Sequence, residues 1–105
     1  ALEKALAALR RAATLDAPSA ETLMLLGRAR ARAGDLAGAE GDLRRAVERL
    51  PAPPEAFARL GDVLERRGRI ADARDALVDY ATLVSGTAAA GQVAPRIAAL
   101  SMRLG

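Results

Sequence analysis

Leu23, Leu26 and Gly27, followed by Leu36, Ala39, Leu43, Ala46, Val47 and Leu50, fall at intervals of three and four residues. That spacing lines up one face of an α-helix, which turns once every 3.6 residues. The rhythm returns in Phe57, Leu60, Gly61 and Leu64, and again in Ile70, Ala73, Leu77, Tyr80 and Val84. Each of the two stretches reads as a pair of short amphipathic helices. Ahead of them, Leu2, Leu6 and Leu9 form one apolar stripe, and Ala1, Ala5, Ala8 and Ala12 form a second. Behind them, Val93, Ile97, Leu100 and Leu104 stand at i, i+4, i+7 and i+11, a single stripe able to cover the last pair as a capping helix.

The breaks agree with this division. Ser19 can cap a helix that begins at Ala20, and Gly34 and Gly68 stand where a left-handed residue would end the first helix of each pair. Pro51, Pro53 and Pro54 separate the pairs, and Pro54 suits a first helical position because its missing N–H would have had no partner there. The pattern predicts helices over 1–15, 20–33, 36–50, 54–67 and 70–84. Ser85-Gly86-Thr87 and Gly91 read as loop, and a last helix is expected from Gln92 to Leu104.

A shift of 34 residues lays Leu26-Gly27 on Leu60-Gly61, Gly34 on Gly68, Ala37 on Ala71, Ala39 on Ala73 and Leu43 on Leu77. Glu21 also falls on Glu55 and Arg32 on Arg66, and the same phase carries Ala5, Leu9 and Ala12 onto Ala39, Leu43 and Ala46. Agreement concentrated at small and apolar positions points to a shared packing geometry. Two antiparallel helices approach closely only where Cβ bulk is missing, so Gly27 is expected to face Ala39 and Gly61 to face Ala73. A Leu at Gly61 should overpack that contact, at a cost of roughly 1–3 kcal/mol. Past Val84 the phase fades, with Pro95 in the place held earlier by Gly27 and Gly61.

These residues resemble the tetratricopeptide repeat, whose 34-residue unit carries W-x2-L-G-x2-Y on its first helix and set small and large residues on its second. Leu23 and Phe57 stand at the Trp position, Leu26-Gly27 and Leu60-Gly61 at Leu-Gly, and Ala39 and Ala73 at the small residue. Leu43 and Leu77 fill the large apolar position, Ala46 a later Ala, and Pro51 the terminal Pro. Arg30 and Leu64 stand where Tyr is usual, Tyr80 where Ala is usual and Ser85 where Pro is usual, which fits an array that ends there. The resemblance implies an all-α fold, a right-handed α-solenoid of antiparallel helix pairs with about six helices, the last a cap. Within one domain spanning 1–105, 1–18 would be the second helix of a partial repeat, 20–53 and 54–87 two repeats, and 88–105 the capping helix. Helix 1–15 then lacks its partner, so further repeats or another chain are expected against its alanine flank.

Composition narrows the chemistry. Ala, Leu and Arg dominate a chain of 105 residues with only 2 % aromatics, Phe57 and Tyr80, which suits helices and one modest core. The absence of Cys and His removes thiol nucleophiles, imidazole bases, disulfides and the usual zinc ligands. No catalytic, cofactor-binding or metal-binding residue is expected, and no enzyme. Asp72, Asp75 and Asp79 share a helix face at i, i+3 and i+7 and read as a solvated face near Arg74, since hard-cation sites draw several ligands from a loop. The net charge of +3 rests on 15 Arg and Lys4 against 13 acids, an Arg excess that suits a GC-rich bacterial genome. Charges interrupt every apolar run before the roughly 20 residues of a membrane span, and cytoplasm and periplasm stay equally open. Arg10-Arg11, Arg44-Arg45 and Arg66-Arg67-Gly68-Arg69 lack the aromatic platforms that single-stranded nucleic acid would want.

The resemblance implies that a concave groove built from first helices holds a partner protein or peptide. Its positions carry over to Glu21, Met24, Arg28 and Arg32 in the first full repeat and to Arg59, Asp62, Glu65 and Arg66 in the second, with Leu25, Ala31, Glu55 and Ala58 beside them. Arginine forks there could hold carboxylates of an acidic partner. The plainer reading, which an exposed charged face favours, is that they are solvated or paired with Glu21, Asp62 and Glu65 on the same helices. The chain has no Asn, which argues against the family's clamp for C-terminal carboxylates. The expected role is a protein-binding scaffold acting through the groove or the open N-terminal end. The alternatives are a structural spacer in a larger assembly and an accessory domain of an enzyme whose catalytic part lies elsewhere.

Overall fold

The computed structural model describes residues 2–15 and 18–105, and the side chains of residues 12–15 lie outside the described set. Helix α1 spans Leu2–Leu15, α2 Ala20–Arg32, α3 Leu36–Glu48, α4 Pro54–Arg66, α5 Ile70–Leu83 and α6 Ala88–Leu104. All regular structure among the described residues is helical.

Local chemistry places the ends. Ser19, extended at φ −69° and ψ 159°, accepts from the Thr22 N–H at 3.0 Å and so satisfies one of the orphan donors of α2. At the other end the Gly34 N–H donates to the Ala31 carbonyl at 3.1 Å and the Asp35 N–H to the Arg30 carbonyl at 2.9 Å, the Schellman pair. The α4 end repeats it, with Gly68 on Glu65 at 2.9 Å and Arg69 on Leu64 at 2.8 Å. Both glycines are left-handed, at φ +89° and +78°, where a Cβ would be strained. Asp35 then serves twice, since its Oδ1 accepts from the Gly38 N–H at 2.9 Å and caps α3.

Two boundaries differ from the expectation. Helix α3 stops at Glu48 because Arg49 is extended at ψ 130° and Leu50 precedes a proline, which disfavours helical geometry. Leu50 is consequently 91 % exposed and no part of the core. Helix α6 begins at Ala88, ahead of Gln92, and runs through Gly91 and Pro95. Pro95 deprives the Gly91 carbonyl of its intrahelical donor, but both residues are exposed and water is at hand. Burial of Val93 and Leu100 against the rest of the molecule holds the helix continuous across that break.

Helices α2 and α3 pack as one pair and α4 and α5 as the next; α3 joins α4, α1 leans on α2, and α6 covers α5. The stack measures 42 × 27 × 22 Å. Leu23, Leu26, Leu43, Leu64 and Leu77 are fully buried, each contributing about 1.5–3 kcal/mol by leaving water. A Cβ built on Gly27 would lie 2.8 Å from Leu43 Cγ and 3.2 Å from the Ala39 carbonyl oxygen. One built on Gly61 would lie 2.9 Å from Leu77 Cγ and 3.4 Å from the Ala73 carbonyl oxygen. The glycines therefore face the backbones of Ala39 and Ala73 as expected, but the closest atoms belong to the leucine one turn further on.

At the N-terminal end Leu2, Leu6 and Leu9 are half-buried while Ala5 and Ala8 are exposed. Ala1 and the side chain of Ala12, expected on the same flank, fall outside the described residues. No described helix is long and apolar enough to cross a membrane.

Candidate functional site

Helices α2 and α4 lie side by side, and their shared face encloses a cleft of about 140 Å³. Gly27, Ala31, Leu43 and Val63 supply its apolar surface, and Arg28, Arg32, Arg59, Asp62 and Arg66 its charges. Gly27 reaches the cleft from the α2–α3 contact, where Leu43 and the Ala39 carbonyl already occupy the place a side chain would take.

Charge pairing decides what this cleft presents. Arg59 Nη2 donates to Glu55 Oε1 at 2.6 Å, an i, i+4 pair on α4, while Arg59 Nε is buried without a partner. Arg28, Arg32 and Arg66 form no ion pair among the described residues. Asp62 and Glu65 turn the other way, toward α6. Arg96 Nη2 donates to Asp62 Oδ1 at 2.8 Å and to Glu65 Oε1 at 3.1 Å, and Arg103 Nη1 stands 3.8 Å from Glu65 Oε2. Burial alone would lower the Arg96 pKa, but hydrogen bonds to both carboxylates and their charges outweigh it and raise the value. A second, shallower depression holds Asp62, Glu65, Arg66, Arg96 and Arg103, continuous with the first through Asp62 and Arg66.

The family-derived groove residues thus divide. Arg28, Arg32, Arg59, Asp62 and Arg66 meet at the cleft, and Glu65 lies beside it. Met24 is buried at 8 % exposure inside the core, because it lies on the face of α2 turned toward neighbouring helices. Glu21, at the first turn of α2, sits with Pro18, Arg49 and the Pro51–Pro54 turn in a separate depression.

Residues 2–52 and 25–94 each match the family model for the tetratricopeptide repeat. The chain belongs to the tetratricopeptide repeat family. No curated protein matches it. Among solved structures, a similar one is the Yersinia enterocolitica type III secretion chaperone SycD, in complex with a peptide of the translocator YopD. The likeness covers 94 % of this chain and 76 % of that one, with a TM-score of 0.80 at 17 % identity, a likeness of fold.

Arg96 and Arg103 line the depression beside the cleft, outside the groove positions that the tetratricopeptide repeat pattern supplies. The signal was present in the 34-residue register, which places Arg28, Asp62 and Arg96 at one recurring position. Pro95 hid it, since a proline where Gly27 and Gly61 stand reads as the end of the pattern.

A second charged centre lies away from the cleft. Glu40 on α3 is 8 % exposed and accepts from Arg44 Nε at 2.8 Å and from Arg67 Nη1 at 2.7 Å, with Arg69 Nη1 at 3.6 Å. The Arg44 hydrogen bond lowers its pKa against the opposing effect of burial, helped by the Arg44 and Arg67 charges. Asp42, 5 % exposed, behaves oppositely. Burial raises its pKa more than the charges of Arg30, Arg45 and Arg10 lower it, and Arg30 Nε approaches at 3.2 Å without hydrogen-bond geometry. Asp72 accepts from Arg69 at 2.7 Å and Asp75 from Arg74 at 3.4 Å, so arginines pair with two of the three carboxylates on that face of α5. Among the described residues no group of three or more His, Cys, Asp and Glu could hold a metal ion.

Proposed function

We propose that this tetratricopeptide repeat module holds an acidic segment of a partner polypeptide on its concave face, in a non-catalytic role. One observation carries the reading: an apolar cleft lies between α2 and α4, and Arg28, Arg32 and Arg66 at its rim have no acidic partner among the described residues. An apolar side chain of the partner enters the cleft, and carboxylates on either side meet guanidinium forks. The buried, unpartnered Nε of Arg59 offers a further donor there. The family supports a protein-interaction role, and the solved structure of similar fold was determined with a peptide bound.

The bare flank of α1 favours a second surface. Ala5 and Ala8 are exposed and Leu2, Leu6 and Leu9 half-exposed, so contact at this end, with the module acting as a spacer in a larger assembly, is the competing reading.

Reversing Arg28 and Arg59 together, Arg28→Glu with Arg59→Glu, separates the two. Proteins that co-purify with the wild-type protein should be lost, by about tenfold or more, from a variant whose circular dichroism is unchanged. Equal recovery from both forms would place the contact at the α1 end.

A further inference from the structure

Helix α6 does more than close the stack. The concave surface of α4 carries two carboxylates, Asp62 and Glu65, close enough to the cleft arginines to cancel part of their field. Both are engaged from α6 instead, through Arg96 at 2.8 and 3.1 Å and Arg103 at 3.8 Å. Asp62 lines the cleft and the depression under α6 alike, so its charge state is felt in both.

We infer that Arg96 sets the selectivity of the concave surface for an acidic polypeptide, acting through Asp62 and Glu65 by neutralising them. The inference rests on the groove reading above and assigns its charge preference to a helix outside the cleft. With Arg96 and Arg103 counted, the continuous surface from α2 to α6 carries six arginines and two acids, a net positive track along which a partner with spaced carboxylates fits. Without Arg96, Asp62 stands bare among Arg28, Arg59 and Arg66, and it repels the carboxylates the arginines attract. Nucleic acid fits the same track less well. Phe57 opens to the depression that holds Asp72, Asp75 and Asp79, and Tyr80 packs against the core, so neither aromatic ring lines this track for a base to stack on.

The test uses amide chemical-shift titrations of the whole chain, which detect millimolar binding. The probes are three extended peptides of two Leu among four Glu, four Gln or four Lys, together with oligouridine. Wild-type protein should shift cleft resonances most readily with the Glu peptide. Arg96→Gln should weaken that peptide about fivefold, as expected for carboxylates interacting across a wet surface within a Debye length. The Gln peptide should be unaffected. Adding Asp62→Asn and Glu65→Gln to Arg96→Gln should restore Glu-peptide binding, because the repelling charges are then gone. Unchanged Glu-peptide affinity in Arg96→Gln overturns the inference, as does a triple variant that fails to recover, which would mean Arg96 touches the peptide itself. Tighter binding of oligouridine than of the Glu peptide overturns it in favour of a nucleic-acid surface. If no peptide shifts the cleft of the wild-type protein, the groove reading falls and takes this inference with it.

Discussion

Two glycines set how closely the helix pairs approach, and they differ in how much they would resist replacement. At Gly61 a methyl would meet Leu77 Cγ and Cδ2, both at 2.9 Å, with the nearest backbone atom, the Ala73 oxygen, at 3.4 Å. At Gly27 it would meet Leu43 Cγ at 2.8 Å and also a backbone oxygen, that of Ala39, at 3.2 Å. A leucine side chain can swing, whereas a carbonyl moves only with its helix. Alanine also favours helix over glycine by about 1 kcal/mol, which offsets part of the clash. Gly27→Ala is therefore expected to destabilise by about 1–3 kcal/mol in urea denaturation, and Gly61→Ala by less. Equal costs at the two sites would show that the carbonyl contact is unimportant.

At the scale of the element, helix α6 carries a defect that its packing overrides. Pro95 lies well inside the helix and is exposed, so it contributes no buried surface in return for the hydrogen bond it removes. Pro95→Ala should raise stability by about 1–3 kcal/mol, read as a higher melting temperature with unchanged helical content. A lower melting temperature would mean that the ring makes contacts not apparent from its exposure. Elsewhere the ends are well specified by short-range chemistry. Ser19, Gly34 and Gly68 all act as their residue types predict, because caps depend on neighbours three or four residues away. The last helix escaped that logic, since neither Thr87 nor any other side chain caps its start.

Across the whole molecule, Glu40 ties one helix pair to the next, joining α3 to Arg67 and Arg69 around the α4–α5 turn. Glu40→Gln is expected to cost about 1–2 kcal/mol at neutral pH, since three partly exposed arginines lose a nearly buried carboxylate. The pH dependence follows from the direction of its shift. Glu40 holds its proton less firmly in the fold than its ordinary value of 4.5, so its contribution is full above that value and is lost as pH falls through the lower folded one. Asp42 acts in the opposite sense: its folded pKa lies above 3.8, and acidification relieves the strain of its buried charge. Wild-type stability should fall more steeply than that of Glu40→Gln below about pH 4.5, the two curves converging in acid. Parallel curves in urea titrations at stepped pH would remove Glu40 from the acid response.

Helix count, pairing and the small contact positions were legible in the chain itself, because a 34-residue recurrence of Leu-Gly and Ala states which residues must touch and leaves little else to decide. Five of the eight residues expected in a groove also line one cleft, since register alone places Arg28, Arg32, Arg59, Asp62 and Arg66 on one side of adjacent helices. Only the tertiary structure could show that Met24 turns inward and that Glu21 belongs to the proline turn. It alone could show that Asp62 and Glu65 pair with Arg96, 34 and 31 residues away, rather than with arginines on their own helices. Periodicity fixes the face a side chain occupies. Which of several charges it pairs with depends on distances between helices, and those are set by packing.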